Sequence, residues 1–199
     1  MKRFSDICIS LILLIVLSPV LLLAAIAIFL GERRNPIFVQ LRVGKNGKEF
    51  KVYKFRTMFV DSSIGNLRAP AKGDKRVTKV GYVLRKTSID ELLQLINVLK
   101  GDMSIIGPRA VPSKELDLRL EKLVNQDPEN EEKYKNYMKT RQKIRPGITG
   151  MAQAFGRSSL STLDSIEYDV YYVENISMRL DIRIIFETIK TVLLQRGAN

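Results

Sequence analysis

The chain has 199 residues, room for one compact domain and little more, and a formal net charge of +12 from 33 Lys and Arg against 21 Asp and Glu. It contains no His, no Trp and one Cys, Cys8, which excludes disulfide frameworks, Cys/His zinc sites, histidine triads and a histidine general base. Any chemistry must therefore rest on carboxylates, Lys, Arg, Ser, Thr, Tyr or a hard metal ion.

The positive excess belongs to the water-facing part, because only Lys2, Arg3 and Asp6 carry charge before residue 31. A basic surface attracts nucleic acid, anionic lipid headgroups or phosphate-bearing substrates, and charge alone does not choose among them.

Ile7 to Leu30 is apolar apart from Ser10, Ser18 and Pro19. A straight helix of that length measures about 36 Å, enough to cross a hydrocarbon core of ~30 Å. It is too long for a cleaved signal, and Glu32-Arg33-Arg34 follows where a small-residue cleavage site belongs. Two details argue against simple spanning. Lys2-Arg3 and Arg33-Arg34 flank both ends, so the positive-inside rule favours both ends in the cytoplasm. Pro19, near the midpoint, removes its own amide donor and frees the Ile15 carbonyl, and Ser18 is placed to back-bond one turn earlier. A helix that enters, breaks at Ser18-Pro19 and returns satisfies both, but spanning helices also tolerate proline, so the residues alone leave both topologies open.

Two extended stretches, Ile37–Val43 and Glu49–Phe55, flank the turn signal Gly44-Lys45-Asn46-Gly47. Residues 61–79 read as a loop. Ile89 to Leu99 is predicted as a helix with Ile89, Leu92, Leu93 and Ile96 on one face, ended by Gly101. Pro112 to Gln126 and Glu129 to Gln142 read as two helices parted by Asp127-Pro128, their mixed charges suggesting a solvated outer surface. Arg145 to Gly150 reads as a loop. Ile176 to Leu194 reads as an amphipathic helix that packs on the core or lies in a membrane interface.

The chemistry concentrates at Ser88-Ile89-Asp90-Glu91. Alone, this is a capping box, with Ser88 on the amide of Glu91 and the Glu91 carboxylate reaching back. Its neighbours change that: Arg85 and Lys86 lie one turn before, and Gly107-Pro108-Arg109 follows the helix. Cations and free amides at a helix start favour ionised carboxylates and bound phosphate, and adjacent acids can hold a magnesium ion that keeps most of its waters. The region offers an anionic nucleophile, a metal position and arginines for phosphoryl oxygens.

Several motifs occur in order: Lys54-Phe55-Arg56-Thr57-Met58, Leu84 to Leu92, Gln94 to Ser104, Gly107-Pro108-Arg109 and Arg145 to Gly150. Together they resemble the bacterial sugar transferase family, the small monotopic phosphoglycosyl transferases, from the membrane segment to about residue 190. The resemblance implies an α+β, mostly helical protein. Residues 1–34 would be a re-entrant membrane helix broken at Ser18-Pro19, and residues 35–199 a cytosolic catalytic domain with a short β-hairpin and amphipathic interface helices. It implies a UDP-sugar donor, undecaprenyl phosphate as acceptor, UMP as product, magnesium dependence, and residence on the cytoplasmic face of the bacterial inner membrane among anionic lipids. It also implies that Asp90 attacks the donor, with Glu91 as its metal-binding partner, and that Arg109 is the motif arginine.

Arg85, Arg109 and Arg145 are the candidates for neutralising phosphoryl oxygens. Lys54 and Arg56 divide evenly between phosphate or headgroup contact and the wet face of a strand. Gln153, Tyr168 and Tyr171 are within the range of nucleotide or sugar contacts, with core or surface roles the simpler reading. Ala110, Leu93 and Met151 depart from the family's usual Pro, Pro and Trp, which touches loop rigidity and selectivity but removes no charged group. The competing reading is a non-catalytic, membrane-anchored basic adaptor for anionic lipids or partner proteins. A nucleic-acid binder ranks below it, for want of a zinc module, an aromatic stacking run or a recognition helix.

Overall fold

Thirty-one residues, Lys2–Glu32, form a single helix, α1, in a computed structural model that describes residues 2–59, 74–156 and 160–193. Helical conformation continues through Pro19, and Ser18 Oγ donates to the Ile15 carbonyl at 2.8 Å, filling the vacancy that the missing proline amide creates. α1 is long and apolar enough to cross a membrane. Its middle is exposed and apolar, with Leu11, Ile12, Ile15, Val16, Leu22 and Leu23 uncovered. Both ends bear on the rest of the protein. Near the start, Lys2 pairs with Asp181 at 2.6 Å, Arg3 donates to the Val98 and Leu99 carbonyls, and buried Asp6 accepts from Ser104 Oγ and the Ile105 amide. Near the end, Ala24 and Ile28 pack with Phe55, Leu84 and Leu93.

The hairpin forms as expected. β1 (Ile37–Val43) and β2 (Glu49–Phe55) pair antiparallel with Ile37 opposite Phe55 and Val43 opposite Glu49. The connection is a short 3-10 turn, Lys45–Gly47, in which Asn46 takes a positive φ of 56°. Much of the expected loop, residues 60–73, lies outside the described residues; Met58 then bridges Val77. α2 (Lys79–Lys86) follows, a helix not anticipated from the sequence, capped by Thr78 Oγ1 on the Gly81 amide.

The predicted helix from Ile89 to Leu99 is divided. Ile89–Glu91 is a separate 3-10 turn, and α3 spans only Gln94–Lys100, ended by Gly101 at φ 92°. Its buried face is Gln94, Leu95, Asn97 and Val98, while Ile96 is exposed, because the turn before it offsets the helical phase by one residue.

α4 (Ser113–Gln126) and α5 (Glu131–Arg141) flank a 3-10 turn at Pro128–Asn130. They are not simply an outer surface: Leu116, Leu123, Tyr134 and Met138 form a core with Val111, Ile166 and Val170. The expected loop from Arg145 contains β4 (Gly147–Thr149), parallel to β3 (Ser104–Ile106). Gly147 has to be glycine there, since a Cβ would overlap the Gly107 amide and the Thr149 carbonyl. α6 (Met151–Phe155) and α7 (Thr162–Glu174) lead to α8 (Met178–Leu193). α8 packs Ile184 inward with Ile106, Ala154 and Tyr172, and exposes a second apolar stripe, Met178, Ile182, Phe186 and Ile189.

Candidate active site

The path from sequence to site begins at Ser88, which adopts left-handed backbone (φ 58°), at a cost of about 1–2 kcal/mol for a residue with a Cβ. That turn redirects the chain from α2 into the 3-10 segment carrying Asp90 and Glu91. No capping box forms at this turn: Ser88 makes no side-chain cap bond, whereas a capping box is present at Ser161 and Asp164. Glu91 reaches β2 instead. Its Oε1 accepts from Lys54 Nζ at 2.6 Å and from Arg109 Nη2 at 3.2 Å.

Three separated segments thus converge on one carboxylate, and other side chains fix them. Asn97, fully buried at the centre of α3, donates to the Lys51 carbonyl at 2.7 Å and accepts from the Tyr53 amide at 3.1 Å, so β2 and the Asp90–Glu91 turn are locked in register. Arg109 is held through its backbone. It bridges Gly147 beyond the end of β3, and its carbonyl accepts from Arg141 Nη2 at 2.9 Å. Arg141 is pinned by two bonds to Asp169 Oδ2, at 3.0 and 2.7 Å, with both partners buried. The next carbonyl, Ala110, accepts from Arg42 at 2.8 Å. Sequence reasoning singled out none of Arg42, Asn97, Arg141 and Asp169 as site residues. Arg42, Asn97 and Asp169 each interrupt a stretch with apolar neighbours, a signal that marks a buried polar network only after the folding partners are known, while Arg141 sits in a polar stretch and gave no signal.

Arg42, Lys54, Glu91, Gln94, Arg109 and Gln153 line a small concavity whose enclosed volume is about 10 Å³, with Val52, Ala110, Gly147 and Ile148 as its apolar walls. Asp90 lies beside it and is not one of the lining residues. Arg85 is within electrostatic reach of Asp90 and contacts Met58 Sδ at 3.9 Å. Arg145 donates to the Gly101 carbonyl at 2.7 Å, and Arg56 to the Asn35 carbonyl at 2.8 Å. The structure therefore gathers Lys54, Asp90, Glu91 and Arg109, with Arg85 close by, while Arg145 and Arg56 hold backbone elsewhere.

The two acids stand in opposite electrostatic states. Burial, then the neighbouring Glu91 charge, pushes the Asp90 carboxyl up to about 6, against the pull of Lys54, Arg85 and Arg109. Burial also opposes charge on Glu91, but Lys54 and Arg109 outweigh it and hold that carboxyl well below the usual range. Glu91 is a fixed anion, whereas Asp90 is a carboxylate poorly compensated by its surroundings. Asp90 and the second Glu91 oxygen are the two carboxylate groups that could face a cation, and no group of three or more acidic, His or Cys ligands exists among the described residues, so a magnesium ion there would have to take most of its ligands from water.

A carboxylate pair thus sits among Arg and Lys side chains, in a turn packed against the end of a long apolar helix. The chain belongs to the bacterial sugar transferase family, whose model matches residues 1–195. It is 40% identical over 200 residues to the UDP-N-acetylgalactosamine-undecaprenyl-phosphate N-acetylgalactosaminephosphotransferase of Aeromonas hydrophila, covering 99% of this chain and 44% of the relative. It is also 40% identical over 202 residues to the UDP-glucose:undecaprenyl-phosphate glucose-1-phosphate transferase of Klebsiella pneumoniae, covering 99% and 41%. A third relative, the uncharacterized sugar transferase EpsL of Bacillus subtilis, is 40% identical over 199 residues, covering 99% and 89%. The chain thus spans less than half of the first two relatives and nearly all of the third.

Proposed function

We propose that this protein transfers a sugar-1-phosphate from a UDP-sugar to undecaprenyl phosphate at the cytoplasmic face of the bacterial inner membrane, releasing UMP. The observation that carries the proposal is the placement of Asp90, an under-compensated carboxylate, beside a Glu91 already neutralised by Lys54 and Arg109. The family and the reactions for which the relatives are named agree with it.

An Asp90 oxygen attacks the phosphorus that bears the sugar. The bond from that phosphorus to the UMP oxygen breaks, and UMP leaves with the electron pair, so the phosphosugar is esterified to Asp90 as an acyl phosphate. An oxygen of the lipid phosphate then attacks the same phosphorus and Asp90 departs as a carboxylate. The attacking groups in both steps are already anionic, so no histidine base is required. Lys54, Arg109 and Arg42 are positioned to bear on the donor's diphosphate oxygens. A magnesium ion held by Asp90 and Glu91 would supply further charge neutralisation when bound.

For the anchor, a re-entrant α1 is supported by its contacts. Lys2, Arg3 and Asp6 at one end and Ala24 and Ile28 at the other bear on the same domain, which is hard to reconcile with ends on opposite sides of a bilayer. The bend would fall at Ser18-Pro19, and the exposed stripe on α8 suits the headgroup boundary. Membrane-impermeant amine labelling should reach Lys2 only from the cytoplasmic side; labelling from outside would establish a spanning helix.

The reaction is tested by offering the purified full chain a panel of UDP-sugars with polyprenyl phosphate and magnesium, and measuring UMP. At least one donor should release UMP, and peptide mass analysis of the trapped mixture should find phosphosugar on Asp90. Release from no donor, or an adduct elsewhere, defeats the proposal.

A further inference from the structure

Two glutamines in the concavity have polar atoms that the fold leaves without partners. Gln94, the first residue of α3, is 5% exposed, yet its side-chain amide makes no hydrogen bond to any of the described residues. Gln153, on α6, donates Nε2 to the Ile148 carbonyl at 3.2 Å, which fixes the amide's orientation, and its Oε1 is buried with no partner. A buried amide oxygen is ordinarily satisfied, so the orphaned Gln153 Oε1, with the unbonded Gln94 amide lining the same small space beside Lys54 and Arg109, marks a place kept for something that enters it. The enclosed volume is only about 10 Å³, room for one water-sized group, so no more than a single N–H or O–H of a ligand reaches into it.

Neither amide suits a phosphate as well as the neighbouring cations do. Gln153 Oε1 is an acceptor only and would repel a phosphoryl oxygen; it calls for an N–H or O–H. Gln94 offers both a donor and an acceptor. Resting on the donor proposed above, we infer that Gln94 and Gln153 form the neutral half of the donor site, hydrogen-bonding an N–H or O–H group that adjoins the phosphates. The ribose and the transferred sugar both present such a group next to the diphosphate. A site of this kind discriminates strongly, because an analogue lacking the donor leaves the buried acceptor unpaired.

Gln94→Met and Gln153→Met keep side-chain length and remove the amides. Binding of UMP, UDP-glucose and UDP-N-acetylgalactosamine to the detergent-solubilised full chain, measured calorimetrically, should weaken roughly three- to tenfold for at least one ligand in each variant. Because Gln94 makes no bond within the fold, the Tm of Gln94→Met should not fall. A loss shared by UMP assigns the subsite to the nucleoside, and a loss confined to the UDP-sugars assigns it to the sugar; either supports the inference. Affinities within about twofold of wild type for all three ligands overturn it, as does a Gln94→Met loss that tracks a fall in Tm. Wild-type protein that binds none of the three sinks the donor reading itself, which separates that failure from failure of the subsite alone.

Discussion

Replacing Asp90 with Asn separates a reacting group from a structural one, because the two roles predict opposite signs. The Asp90 carboxyl is raised from 3.8 to about 6 by burial and by Glu91, so the folded protein holds this proton more tightly than the unfolded chain. Between about pH 4 and pH 6 the unfolded chain binds fewer protons, and stability therefore falls as pH rises through that window. Above it the full cost of ionising Asp90 in place is present. Two units correspond to about 3 kcal/mol as an upper bound, and residual hydration of a partly exposed side chain brings this to roughly 1–3 kcal/mol. Asparagine keeps the shape and carries no charge, so Asp90→Asn should be more stable than wild type at pH 8. The gain in Tm should be about 2–12 °C at 2–4 °C per kcal/mol for a chain of this size, and should shrink to nothing below pH 4. The same variant should release no UMP. Thermal unfolding of the solubilised full chain at pH 8 and at pH 4, without substrate, reads the first effect. A variant no more stable than wild type at pH 8 would refute the claim that Asp90 is held against its charge. Stabilisation joined to loss of activity is what a helix cap could not give, since losing a cap costs about 1 kcal/mol.

The pH dependence of UMP release has its own sign: in the proposed reaction the ionised form of Asp90 attacks, so kcat/KM should be level above about pH 6 and fall tenfold per unit below it, and a flat profile to pH 5 would contradict the assignment. Arg141→Met strands the buried Asp169 charge and should destabilise by about 3–5 kcal/mol, read as a lowered denaturation midpoint. Adding Asp169→Leu should restore most of that stability but not the UMP rate, because the Arg109 carbonyl stays unheld; full recovery of rate would show that Arg141 does nothing for Arg109. Gly147→Ala forces a Cβ into the Gly107 amide and Thr149 carbonyl, so it should unfold the β3–β4 pair and lower Tm well beyond the ±0.5 kcal/mol typical of surface changes; a near-normal Tm would disprove the close approach.

What the sequence disclosed depended on how local the cause was. The hairpin was legible because its alternation and turn lie within nineteen consecutive residues, Ile37–Phe55, and the observed pairing has the expected bounds. The apolar helix was legible from composition alone. β3 and β4 were not, since three-residue strands carry no periodicity and their pairing joins residues 104–106 to 147–149. The helix phase after Glu91 was misread because a 3-10 turn and the left-handed Ser88 intervene, and nothing in Thr87-Ser88-Ile89 announces either. At the site, adjacent charges were read correctly as a cluster, since Asp90 and Glu91 are neighbours in the chain. Arg141 and Asp169, 28 residues apart, become a pair only when α5 meets α7. Arg145 donates its Nε to the Gly101 carbonyl, a contact 44 residues away that no local pattern announces.

The long apolar helix α1 is tied into the same frame as Asp90 and Glu91. Ala24 and Ile28 pack with Leu84 and Leu93, the residues on either side of the Ser88–Glu91 turn, while Arg3 holds the carbonyls at the far end of α3. The turn is also fastened to β2 through Lys54 and, by way of Asn97, to the backbone around Tyr53. The segment that carries Asp90 therefore cannot shift without moving the anchor. Under the proposed reaction, with an acceptor phosphate confined to the bilayer surface, this would fix the depth at which the carboxylate meets it. Positioning of that kind is where most of the available rate enhancement lies when both reacting groups are already charged and no proton needs to move.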